Sequence, residues 1–126
     1  MENIAIYPGT FDPITKGHID IIERASPLFN RIVVAIGINI KKATLFNDKE
    51  RLEMAIESVK HLSNVTVEVF NGLTVEFALQ KNACTIIRGI RAISDFEYEF
   101  QIALMNRKLH PEIDTIFMMP NEKYTY

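Results

Sequence analysis

The densest chemistry in this sequence is the run Pro8-Gly9-Thr10-Phe11-Asp12-Pro13-Ile14-Thr15-Lys16-Gly17-His18, which follows the apolar segment Ile4–Tyr7. Its glycines allow close backbone approach. A helix starting here offers free N–H groups and the positive end of its dipole to an anion. Thr10 can donate a hydroxyl hydrogen bond, and His18 can aim a ring N–H the same way. Taken alone, His18 reads better as a solvent-facing residue of a tight turn. A mere turn, however, needs no Thr and His set to converge.

Other polar residues also follow apolar runs. Lys41-Lys42 by itself reads as solvated surface. Thr74 reads first as a helix N-cap and second as a substrate contact. In Ile87-Arg88-Gly89-Ile90-Arg91, planar guanidinium groups suit bidentate phosphate binding. The alternative for those arginines is an ion pair with Asp95 or Glu97. Lys42, Arg88, Arg91 and His18 together gather positive charge locally in a chain of net charge −2. Several phosphate groups suit that arrangement; an apolar ligand does not.

Other chemistries find no support. The sequence has neither a Gly-x-x-x-x-Gly-Lys-Ser/Thr loop nor a Gly-x-Gly-x-x-Gly fingerprint. One cysteine and the scattered His18, His61 and His110 make no zinc site. Ser26 and Ser58 fall in helical patterns without a nucleophile elbow. The net charge of −2 disfavours nucleic acid as a general partner. Cys84 lacks an intramolecular partner, which suits a reducing setting, and its place before Thr85-Ile86-Ile87 reads as a small buried hydrophobe. With no signal-peptide pattern at Met1-Glu2-Asn3 and no membrane-length apolar run, a cytoplasmic location is expected.

What positions these residues is an alternation of two periodicities in a chain of single-domain length, 126 residues. Strand-length apolar runs occur at Ile4–Tyr7, Ile32–Ile38, Val65–Phe70, Thr85–Ile87 and Thr115–Met118. Helical stripes lie between them. Leu52, Ala55, Ile56 and Val59 share one face, behind a capping box of Asn47 and Glu50. Ser94 and Glu97 suggest a second box ahead of Phe96, Phe100, Ala103 and Leu104. Tyr98, Ile102, Met105 and Leu109 give that helix a second apolar face, to meet either another subunit or a C-terminal element. This order predicts an α/β fold: a five-stranded parallel sheet with helices on both faces, its ligands outside the carboxyl ends of the strands.

Residues 7–18 resemble the nucleotidyltransferase signature Thr/His-x-Gly-His in its Gly-Thr-Phe-Asp-Pro form. Ile86–Glu99, continued by Met105-Asn106-Arg107-Lys108-Leu109, resembles the second hallmark of bacterial phosphopantetheine adenylyltransferases. The likeness runs from residue 3 to the end of the chain, and the first motif alone indicates only the wider superfamily. The resemblance implies a Rossmann-like sheet and transfer of the ATP adenylyl group to 4′-phosphopantetheine, with magnesium, in a hexamer. It implies that Thr10 and His18 contact the reacting phosphate and that Lys42 and Arg88 hold the acceptor phosphate. The same resemblance implies that Thr74 and Asn106 line the pantetheine arm and that Gly9, Phe11, Gly17, Gly89, Ile90, Arg91, Glu99, Tyr124, Thr125 and Tyr126 meet ATP. The family pattern continues past Tyr126 into a Ser-Ser-Ser segment and C-terminal helices, so a truncated chain is expected. Rival readings are a nucleotidyltransferase with another phosphate acceptor and a folded but inactive nucleotide-binding module.

Overall fold

The computed structural model describes residues 2–38 and 43–124, the side chains of Ile93, Ser94 and Tyr124 excepted. Five strands, β1 (Ile4–Gly9), β2 (Arg31–Gly37), β3 (Val65–Phe70), β4 (Thr85–Gly89) and β5 (Asp114–Met118), form one parallel sheet in the order β3-β2-β1-β4-β5. Each expected strand is present, Val65–Phe70 with its expected ends and the others with an end moved by one or two residues. The helices are α1 (Lys16–Ala25), α2 (Asp48–Val59), α3 (Thr74–Gln80) and α4 (Ile93–Leu109). Among the described residues no helix is long and apolar enough to cross a membrane.

Both sheet faces are covered, which is why the central strands are apolar almost continuously rather than alternately. On one face Ala5, Tyr7, Val34 and Ile36 pack with Ile21, Ile22 and Ala25 of α1 and Ala55 and Val59 of α2. On the other, Ile4, Ile6, Val33 and Ala35 pack with Val75, Phe77 and Ala78 of α3. Phe96 of α4 meets Phe117 of β5 edge-on, with ring centroids 5.7 Å apart.

The capping box at α2 forms as expected: Glu50 N–H donates to Asn47 Oδ1 at 2.8 Å, and Asn47 N–H to Glu50 Oε1 at 3.0 Å. Four expectations are corrected. The N-cap of α3 is Leu73, not Thr74, because the turn at Gly72 (φ 86°) starts the helix one residue earlier. The N-cap of α4 is Ala92, so Ser94 lies inside the helix; Asp95, in its first turn, accepts from the Arg91 N–H at 3.4 Å. Ile56 is exposed, and Arg51 takes the inward place on α2 beside Ala55 and Val59. Cys84 is exposed rather than buried, because it precedes the first residue of β4 at the sheet's margin; its Sγ–H donates to Asn3 Oδ1 at 2.9 Å.

Candidate active site

β1 connects to β2 on one side and lies beside β4 on the other, so strand order reverses between β1 and β4. A crevice opens there because the two strands stop pairing early. β1 matches β2 through Gly9 and β4 matches β5 through Gly89, but β1 and β4 pair only at Ala5 and Ile6. Pro8 accounts for this. The N–H and C=O of one strand residue point to the same side, and the Pro8 carbonyl faces β4, where it accepts from Arg88 Nη1 at 2.8 Å. Proline therefore lacks its ladder donor on the β4 side. The cleft holds about 930 Å³ and is lined by the ends of β1 and β4, the start of α1, and parts of α4 and the 120–123 segment.

His18 stands in the first turn of α1, tied into its cap. Thr15 N–H donates to His18 Nδ1 at 2.9 Å, while His18 N–H donates to Thr15 Oγ1 at 3.4 Å. A backbone N–H can only donate, so Nδ1 carries the lone pair and the ring proton sits on Nε2. Burial pushes the imidazole pKa down to about 4, and the charge of Arg91 adds to the shift. At neutral pH, His18 is thus an uncharged N–H donor at the cleft wall. Phe11 packs edge-on against it, centroids 4.8 Å apart, and against Tyr7 at 5.3 Å. The Tyr7 hydroxyl is pushed up to about 12 by burial, which the Arg88 charge opposes, so it stays protonated.

Arg88 crosses the mouth of the β1–β4 gap. Its Nε and Nη2 donate to the two carboxylate oxygens of Glu99 at 2.7 and 2.9 Å, and its hydrogen bonds to buried Glu99 hold it firmly charged. Arg91 is largely exposed, 3.8 Å from Asp95. The ion-pair alternative weighed for the arginines is therefore realised with Asp95 and Glu99, not Glu97, and the arginines still line the cleft. Gly89 permits the close packing beneath them: a Cβ there would lie 2.9 Å from Ile21 Cδ1 and 3.3 Å from the Tyr7 hydroxyl.

Of the residues expected at the site, the structure brings Gly9, Thr10, Phe11, Gly17, His18, Arg88, Gly89, Arg91 and Glu99 to one cleft. Ile90 is buried beside it, its N–H donating to the Met118 carbonyl at 2.9 Å. Thr74 and Asn106 do not line it: Thr74 begins α3, and the Asn106 carbonyl accepts from the His110 N–H near the far end of α4. Lys42, Thr125, Tyr126 and the Tyr124 side chain lie outside the described residues. Sequence reasoning missed Asp12, whose Oδ2 and Oδ1 accept from Leu45 N–H at 2.6 Å and Phe46 N–H at 2.9 Å. It also missed Thr15, a plain N-cap signal three residues before His18. Among the described residues no group of three or more His, Cys, Asp or Glu could hold a metal.

Known proteins match this arrangement. Residues 6–126 match the cytidylyltransferase-like family. The chain is 53% identical to the phosphopantetheine adenylyltransferase of Heliobacterium modesticaldum over 98% of its own length and 73% of that protein's. It is 48% identical to that of Leptospira biflexa over 100% and 79%. In fold it is similar to a putative nicotinate-nucleotide adenylyltransferase from Vibrio parahaemolyticus, with TM-score 0.68 and 20% identity over 98% of this chain and 79% of that one. A lipopolysaccharide core biosynthesis protein from Thermoplasma volcanium has TM-score 0.66 and 19% identity, over 96% and 98%. The solved structures share the fold alone, whereas half the sequence is held in common with the adenylyltransferases. The chain belongs to the phosphopantetheine adenylyltransferase family.

Proposed function

We propose that this chain works as one nucleotidyltransferase domain that transfers the adenylyl group of ATP to 4′-phosphopantetheine, forming dephospho-coenzyme A and pyrophosphate. The observation that carries this reading is the convergence of Thr10, His18, Arg88 and Arg91 on one cleft, in a chain about half identical to enzymes of that name. A phosphate oxygen of phosphopantetheine attacks the α-phosphorus of ATP. The bond from that phosphorus to the bridging oxygen breaks, and pyrophosphate leaves in line with the new bond.

The attacking oxygen is already ionised, so the reaction requires neither a general base nor a protein nucleophile. Catalysis rests on placement and on donors aimed at the developing charge. In this reading Thr10 and neutral His18 donate to oxygens of the α-phosphate. Arg88 and Lys42 hold the acceptor phosphate; the bonds from Arg88 to Glu99 and Pro8 orient its fork and leave N–H donors unspent. Gly9, Phe11, Gly17, Gly89, Ile90, Arg91, Glu99 and Tyr124–Tyr126 border the nucleotide, and Glu99 also orients Arg88 toward the acceptor phosphate. Thr74 and Asn106 stand outside the cleft lining, and this reading gives them to the pantetheine arm where it leaves the cleft.

Magnesium would enter with ATP, held by its phosphate oxygens, since the cleft carboxylates Asp12, Asp95 and Glu99 are all engaged by protein donors. The enzyme works in the cytoplasm as a homo-oligomer, a hexamer on the family resemblance. Mixing the chain with MgATP and phosphopantetheine is expected to release pyrophosphate and dephospho-coenzyme A. Release only with another acceptor, such as nicotinate mononucleotide, or ATP binding without turnover, overturns the reading.

A further inference from the structure

Arg51 is the most buried charged side chain among the described residues, 2% exposed. It stands on the inward face of α2, and it does not line the cleft. Its Nη1 donates to the carbonyl oxygens of Thr10 at 2.9 Å and Gly37 at 3.1 Å, and its Nη2 pairs with Asp48 Oδ1 at 2.7 Å. Its Nε–H is buried without a partner among the described residues. Burying a guanidinium with an incomplete hydrogen-bond set costs several kcal/mol, and a leucine or methionine fills such a place at no electrostatic cost. Packing alone therefore does not explain an arginine here. What the charge does is draw together the carbonyls at the ends of β1 and β2.

The loop it grips is strained. Phe11 has φ 48°, in the left-handed region, with its ring buried. A bulky residue there costs about 1 kcal/mol or more and persists only where its surroundings over-determine it. Two clasps do so. Arg51 fixes the carbonyl of Thr10 before Phe11, and the Asp12 carboxylate after it grips the N–H groups of Leu45 and Phe46. Between them the Phe11 ring is pressed against His18.

We propose that Arg51 is a positioning residue for adenylyl transfer, holding the Thr10–Phe11 loop against His18 so that both donors meet the same phosphate. The inference rests on the proposed function. It requires that a loss of loop geometry act on the transition state more than on nucleotide affinity, since a displacement of about 1 Å at a reacting centre costs roughly 10²-fold in rate.

The test uses Arg51→Met and Arg51→Lys in the full chain. It reads kcat and KM for each substrate, the melting temperature, and the His18 imidazole titration by NMR. Arg51→Met is expected to lower kcat about 100-fold while KM for ATP moves by less than about threefold. Its His18 midpoint is expected to rise from about 4 toward 6.5 as Phe11 loosens. Arg51→Lys keeps the charge but cannot fork between two carbonyls and an Asp48 oxygen, so it is expected to fall between parent and methionine variant. Asp48→Asn, at a half-exposed partner, is expected to keep parental kcat. Folded variants that melt earlier yet retain parental kcat and His18 titration overturn the proposal and leave Arg51 a packing residue. If Arg51→Met does not fold, Arg51→Lys decides by the same readouts. If the parent itself releases no pyrophosphate, the functional reading fails, and a parental His18 titration in the variants separately overturns the positioning role.

Discussion

At the scale of single residues, the arrangement around His18 ties stability to chemistry. Its Nδ1 accepts the Thr15 N–H, so the proton that faces a ligand is on Nε2. Its folded pKa of about 4 lies below the ordinary 6.5, so the folded state resists protonation more than the unfolded chain. Above pH 6.5 the residue is neutral in both states and its contribution to stability is complete. As pH falls from 6.5 toward 4 the unfolded chain binds a proton that the folded chain refuses, and of order 1–3 kcal/mol is lost. His18→Ala is expected to flatten that part of the stability–pH curve, as denaturant unfolding at pH 7 and pH 5 will show. The same substitution is expected to lower kcat by about 10²–10³-fold with little change in KM for ATP, the effect of removing one preorganised donor. Near-parental turnover in His18→Ala rules out its catalytic role.

At the scale of elements, the sequence announced the sheet clearly, because a strand buried on both faces must be apolar along its whole length. The segment Ile32–Ile36 leaves no other reading, whereas β3, at the sheet edge, alternates Val65, Val67 and Val69 with Thr66 and Glu68. The rim of the cleft was legible for a different reason: Gly9, Thr10, His18 and the Arg88 segment lie at strand ends, and the parallel fold brings strand ends together. What stayed hidden depends on tertiary partners. Arg51 shares a stripe with Ala55 and Val59 at i, i+4 and i+8, yet a charged residue in a helix ordinarily reads as solvated. The Arg88–Glu99 pair joins residues on different elements, and nothing in the local pattern singles out Glu99 over Glu97. The caps of α3 and α4 were misplaced because their first turns are set by Gly72 and by the extended backbone at Ala92, not by a hydroxyl side chain. Gly89 was read as a ligand contact, and its neighbours add a packing demand. In Gly89→Ala the new methyl meets buried Ile21 and the Tyr7 hydroxyl. That overpacking is expected to cost about 1–3 kcal/mol in denaturant unfolding. It is also expected to lower kcat/KM, because Ile21 lies on the helix that carries His18. An alanine variant as stable and active as the parent shows that Ile21 yields freely.

At the scale of the whole molecule, α4 is the element whose burial is incomplete. Its seventeen residues carry apolar side chains on more than one face. Only Glu99 is buried among its described side chains, while Phe96, Tyr98, Phe100, Leu104, Met105 and Leu109 are all exposed. Soluble monomers rarely leave so much apolar surface of one helix in water, and a net charge of −2 offers little repulsion against association. These exposed α4 side chains are the surface that the proposed homo-oligomer would cover. The parent chain is expected to sediment as an oligomer, with a melting temperature that rises with protein concentration. Leu104→Glu combined with Met105→Glu places two charges on the patch, and is expected to shift the sedimenting species toward monomer and to abolish that dependence. A parent that stays monomeric at every concentration, or a double variant that sediments as the parent does, removes α4 as the interface.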